Sequence, residues 1–178
     1  MNLRRSPLDA VHRRLGAKLV PFGGWDMPLN YPSGTLDEHR ACRTGAVMFD
    51  VSHLGTVLVE GAGSLARLQG AFTNDLNKVA PGRAQYTHLL NDEGGVLDDL
   101  IVWWLDDERF QVMPNASNTA GVRDAVGGTD VTETRAVIAV QGPDARSKVA
   151  QVFPEAANVK RFRVAELEYE GVPVTVAG

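Results

Sequence analysis

Three runs of strand-forming residues follow one another between residues 84 and 113, and the short connections between them force antiparallel pairing. The runs are Ala84 to Leu90, Val96 to Leu105 and Arg109 to Met113; Asn91-Asp92-Glu93-Gly94-Gly95 joins the first two and Asp106-Asp107-Glu108 the last two. Both connections carry turn chemistry: side chains that bond their own backbone, and glycines that reach positive φ without strain. A crossover to a parallel neighbour takes about a dozen residues or more, so these segments fold back as a meander.

Ser6, followed by Pro7 and then Asp9, reads as a helix N-cap, with Leu8, Val11 and Leu15 on one face and Gly16 as the stop. Thr35 with Glu38 opens a second helix that ends near Gly45, and the Gly- and Pro-punctuated stretch Phe22 to Tyr31 before it reads as a loop. Val47 to Val51 and Thr56 to Glu60 are strands around a turn at Ser52 to Gly55. Helices are expected over about Ser64 to Phe72 and Ala116 to Val126, then a weak strand near Val131, a strand at Ala136 to Val140 and a helix begun by Pro143. A last hairpin, Arg163 to Tyr169 with Val172 to Val176, turns at Glu170-Gly171. Hairpin-joined strands with helices between the groups predict an α+β fold of antiparallel sheets with flanking helices. The chain suits one region, 1–178, or two intertwined subdomains, about 1–50 plus 135–178 and 51–134. Its final strand, with no polar tail or helix behind it, reads as a cut.

Composition narrows the function. An apolar fraction of 44% supports a real core, and 22 acidic against 18 basic residues alternate without a basic stripe, so no nucleic acid or membrane partner is expected. The lone Cys42 suits a reducing compartment, and Arg4-Arg5 is followed by Ser6-Pro7-Leu8-Asp9 and not by the apolar run of a secretion signal. The expected location is the cytoplasm.

The chemistry-bearing oddity is Asp98-Asp99, two adjacent carboxylates in an otherwise apolar strand. A period of two sends them to opposite faces, so one of them meets a core or a cavity, where a carboxylate is costly without a partner or a task. The same pattern also fits two strand-start carboxylates that solvate an edge or bond the preceding turn. Asp50-Val51-Ser52-His53 holds a Ser/His pair, but strand neighbours diverge and no GxSxG elbow presents the serine. His12, His39, His53 and His88 never recur at ligand spacing, so no metal is expected; Gly23-Gly24 and Gly94-Gly95 read as turns, since no phosphate-loop pattern surrounds them. Trp25, Trp103 and Trp104 read by default as core or interface residues, although a cavity for a flat heteroaromatic ligand would be lined this way too.

Three stretches, Phe22-Gly23-Gly24-Trp25-Asp26-Met27-Pro28-Leu29, Met48-Phe49-Asp50-Val51-Ser52-His53-Leu54-Gly55 and Gly94 to Val102, resemble the aminomethyltransferase family, the T-proteins of the glycine cleavage system. Thr73-Asn74-Asp75, Gly82-Arg83-Ala84-Gln85-Tyr86, Asn115-Ala116-Ser117-Asn118 and Ala139-Val140-Gln141-Gly142-Pro143 match in the same order. The resemblance implies the folate-binding fold of that family, truncated to its N-terminal half, with a TGYTGE-type segment expected after Gly178 in a full-length member. It implies transfer of a methylene unit from an aminomethylated lipoyl arm on the carrier H-protein to tetrahydrofolate, with release of ammonia. Asp99 matches the family's catalytic aspartate, and Asp98 then faces away. Tyr86, Trp103, Asn115, Leu54 and Phe162 are implied to line the folate site, with His53 beside Leu54 at its floor; Trp103 and Phe162 stand where tyrosine is familiar.

The same fold serves relatives in demethylation and iron–sulfur cluster maintenance, which a KGCYxGQE-like motif beyond this sequence would distinguish. A chain without ligand or catalysis of its own is the remaining expectation, marked by exposed apolar surface.

Overall fold

Gly23 and Gly24, at φ +56° and +85°, close a hairpin where the sequence reads as a loop. In the computed structural model, which describes residues 3–178, β1 (Arg4–Arg5), β2 (Lys18–Phe22) and β3 (Trp25–Asn30) form a three-stranded sheet in the order β1, β3, β2. Pro28 sits opposite Leu19, next to a bulge, and β1 pairs only with Trp25 and Asp26 on the other edge of β3. Proline is tolerated there because that part of the edge has no ladder to interrupt among the described residues. Trp25 and Met27 are buried from this strand.

This sheet belongs to the first of two compact units, formed by the chain up to His53 and by Thr132–Ala157. It also contains α1 (Asp9–Arg14), α2 (Thr35–Thr44), the antiparallel ribbon of β4 (Val47–Asp50) with β10 (Ile138–Gln141), and helices α5 (Ala145–Val152) and α6 (Pro154–Ala157). Ser6 is not the residue that caps α1. Leu8 holds that position, and the Ser6 hydroxyl accepts from Leu8 N at 3.0 Å while donating to Asp50.

The second unit, Leu54–Val131 with Asn158–Gly178, contains the meander. Its sheet runs β6 (Arg83–Leu90), β7 (Val96–Asp106), β8 (Arg109–Met113), β5 (Val57–Glu60), β9 (Thr129–Asp130), every neighbouring pair antiparallel. Two helices, α3 (Ser64–Ala71) and α4 (Thr119–Val126), supply Leu68, Val122 and Val126 to a core completed by Val57, Val59, Leu100, Val102, Trp104, Phe110 and Val112. Residues 116–118 form a separate 3₁₀ turn ahead of α4, so the helix expected from Ala116 starts later.

The last hairpin, β11 (Val164–Tyr169) with β12 (Val172–Ala177), groups with this second unit and not with the N-terminal segment as expected. Long-range bonds decide it. Ala84 N donates to Phe162 O and Val164 N to Gly82 O, each at 3.0 Å, and Arg109 Nη1 donates to Glu166 Oε1 at 2.8 Å.

Candidate functional site

Strand pairing divides β7 between two environments. Leu100, Val102 and Trp104 enter the core, while Asp99, Ile101 and Trp103 take the opposite face. Across the ladder, Asp99 lies opposite His88, Ile101 opposite Tyr86 and Met113, and Trp103 opposite Ala84 and Gln111. That face therefore carries a carboxylate, two large aromatic side chains and apolar neighbours.

Asp99 has a side chain 68% exposed, and the one ionisable side chain recorded against it among the described residues is His88, with Nε2 at 3.8 Å, a separation too long for a strong bond. Tyr86 is 57% exposed and its ring meets Phe162 edge-on, with centroids 6.1 Å apart at 87°. Phe162 holds φ +55°, a conformation uncommon outside glycine and asparagine. Its carbonyl accepts from Ala84 N, its N–H donates to Gly178 O at 2.7 Å, and Arg161 lies 5.0 Å from its ring centroid. Trp103 is half-buried beside them.

Asp98 points the other way. It is 3% exposed, and its carboxylate accepts from Asn115 N at 3.1 Å, Asn115 Nδ2 at 2.8 Å and Asn118 Nδ2 at 2.8 Å. Asn115 Nδ2 also donates to the Asp99 carbonyl at 3.0 Å, which brings Asn115 to the same strand end as Asp99. Leu54 is half-buried in the turn before Gly55, whose N–H donates to Pro114 O at 2.9 Å, next to Asn115 in the chain. Asp99, Tyr86, Trp103, Asn115, Leu54 and Phe162 thus lie in the second unit, whereas His53, implied beside Leu54 at the floor of the site, falls at the end of a segment of the first. Asp99, Tyr86 and Trp103 share a sheet face, Phe162 packs on Tyr86, Asn115 bonds the Asp99 backbone, and Leu54 is tied to the strand end by its neighbour. Asn118 and His88 were not singled out. Only the long-range pairing of β6 with β7 and of residue 118 with residue 98 gives them their place.

The first unit holds a second polar cluster that the sequence reading did not assemble. Asp50 has a side chain 1% exposed; it accepts from Ser52 N at 2.8 Å and from the Ser6 hydroxyl, and shares a 2.7 Å bond with His12 Nε2. The other ring nitrogen of His12 lies 2.8 Å from the Tyr31 hydroxyl. Burial would raise the Asp50 pKa, but the hydrogen bonds from Ser52, Ser6 and His12 outweigh it and hold the carboxyl below its ordinary value. Burial, and then the charges of Asp50 and Glu38, push the Tyr31 phenol up. Ser52 and His53 do not act as a pair: the Ser52 hydroxyl accepts from Val137 N at 2.9 Å, while His53 meets Phe22 edge-on and burial lowers its pKa.

Comparison with known proteins places this geometry in a family. Residues 8–178 match the model of the GCVT N-terminal domain. An aminomethyltransferase of Cupriavidus necator is 45% identical over 86% of this chain and 46% of its own length. One of Mycobacterium avium is 42% identical over 98% of this chain and 49% of its own. The crystal structure of glycine cleavage system aminomethyltransferase T from Bartonella henselae superposes with a TM-score of 0.85 at 32% identity, covering 94% of this chain and 48% of that one. A heterotetrameric sarcosine oxidase from Corynebacterium shares the fold alone, with a TM-score of 0.52 at 17% identity, covering 98% of this chain and 80% of that one. The chain spans about half the length of the curated relatives it matches. With the family match running from residue 8 to the last residue, the chain belongs to the aminomethyltransferase family, as its GCVT N-terminal domain.

Proposed function

We propose that this chain supplies the folate-facing surface of a glycine cleavage system aminomethyltransferase, with tetrahydrofolate as co-substrate and the lipoylated H-protein as carrier partner. In that reaction the methylene carbon exchanges its bonds to sulfur and to the amine for two bonds to folate nitrogens. The two displaced folate protons leave on the thiol and on ammonia. The observation that carries the reading is the open carboxylate of Asp99 on the sheet face shared with Tyr86 and Trp103, with no strong partner among the described residues.

A strand-borne carboxylate at the edge of an aromatic surface suits this chemistry. Asp99 orients the nitrogen-bearing edge of the pterin and stabilises positive charge as a folate nitrogen attacks. Tyr86, Phe162 and Trp103 offer ring faces and edges for stacking, and removing water from such a surface strengthens the carboxylate's field. Asn115 and Leu54 border the same strand end. The Tyr-to-Trp and Tyr-to-Phe replacements at Trp103 and Phe162 keep the aromatic surface and change only the polar tips.

Tetrahydrofolate added under reducing conditions is expected to quench the emission of Trp103 saturably, with the quench largely lost in Trp103→Phe. Ammonia released in step with methylenetetrahydrofolate, when aminomethylated H-protein is added, reads the transfer itself. A fluorescence change that Trp103→Phe leaves intact contradicts the proposed face. Absence of ammonia release contradicts activity in this chain.

A further inference from the structure

We propose that Asp98 is a positioning residue that sets the polarity of the candidate site by turning Asn115 into an obligate hydrogen-bond acceptor for the ligand's N–H groups. The inference rests on the folate reading of that face. A carboxamide offers either its oxygen or its NH₂ group, and nothing intrinsic to asparagine chooses between them. Here the choice is forced. Asn115 Nδ2 sits 2.8 Å from Asp98 Oδ1 and 3.0 Å from the Asp99 carbonyl, both acceptors, so both amide hydrogens are consumed inside the chain. The Asn115 oxygen has no partner among the described residues, and the residue is exposed at the strand end next to Asp99.

Asp98 is suited to hold that orientation. Its 3% exposure makes an unmatched carboxylate costly, and it is matched by the backbone N–H and side chain of Asn115 and by Asn118 Nδ2. Bonds to a charged acceptor are stronger than neutral ones, so a flipped Asn115 amide, oxygen against carboxylate, is strongly disfavoured. Asn118 Nδ2 donates in addition to the Leu97 carbonyl at 3.1 Å, which braces the clamp from its other side. The strand end that carries Asp99 then offers two kinds of acceptor, the Asp99 carboxylate and the Asn115 oxygen, the latter held by the bond from Asn115 Nδ2 to the Asp99 carbonyl. Such a pair complements a heterocycle edge carrying N–H donors. The two carboxylates divide the work: Asp99 faces the ligand, and Asp98 acts only through Asn115.

A double-mutant cycle tests this. Tetrahydrofolate affinity is measured by calorimetry for wild type, Asp98→Asn, Asn115→Ala and the double variant, with folding checked by circular dichroism. Asp98→Asn is expected to weaken binding about tenfold in the wild-type background. In the Asn115→Ala background it is expected to change affinity by less than about twofold, because the route through Asn115 is already gone. A merely structural role predicts the same loss in both backgrounds, and that result overturns the proposal, as does no loss in either. If wild type binds no tetrahydrofolate, the folate reading fails for this chain, and the Asn115 side-chain NH₂ resonances then decide alone. A shift of those resonances in Asp98→Asn supports the clamp, and their constancy overturns it.

Discussion

At the scale of single residues, close approaches decide which positions are replaceable. Gly55 carries its N–H to Pro114 O, and a Cβ added there would lie 2.6 Å from Pro114 Cγ and closer still to the Thr119 hydroxyl. Neither neighbour is the free end of a flexible chain, since proline is a ring and Thr119 is buried at the start of α4. Gly55→Ala is expected to destabilise the chain by roughly 1–3 kcal/mol, read as a lowered midpoint in urea. Glu170 offers the opposite case. It holds φ +51° before Gly171 at +81° in the two-residue turn between Tyr169 and Val172, a geometry that favours Asn-Gly. Glu170→Asn is expected to stabilise by roughly 0.5–1 kcal/mol through relief of that strain, and an unchanged or lowered thermal midpoint would contradict it.

At the scale of elements, the Asp50 cluster ties α1, the end of β3 and β4 through one buried carboxylate. Removing His12 leaves Asp50 buried with a lost partner, so His12→Ala is expected to cost about 3 kcal/mol or more. The pH dependence follows from the lowered pKa of Asp50: its contribution is fully present above the ordinary carboxyl value near about pH 4 and is lost as pH falls through the folded value. Acid unfolding monitored by circular dichroism is expected to shift to higher pH in His12→Ala, and an unshifted curve would contradict a stabilising role. This cluster was not legible in the sequence because His12 and Asp50 are 38 residues apart and no periodic pattern links them. The meander was legible because its turns and its alternation are local. The β2–β3 hairpin was hidden because Pro21, Pro28 and Gly23-Gly24 carry loop chemistry; at Pro28 the strand tolerates it because the edge of β3 there has no ladder partner among the described residues.

At the scale of the whole molecule, the α+β character and the opposite faces of Asp98 and Asp99 followed from period and turn spacing. The membership of the last hairpin did not, because it depends on the bond from Ala84 to Phe162 across the chain. Each unit also leaves apolar side chains uncovered; in the first, Met48 is 73% and Phe22 58% exposed. Concentration-dependent elution in size-exclusion chromatography, with enhanced fluorescence of a hydrophobic dye, is the expected behaviour of this chain in solution. The most direct test of the central claim is calorimetric titration of the chain with tetrahydrofolate under reducing conditions, beside Asp99→Asn. The expected result is saturable binding to wild type, weakened about tenfold or more by the substitution; equal affinity in the two proteins would contradict the assignment of Asp99 to the folate site.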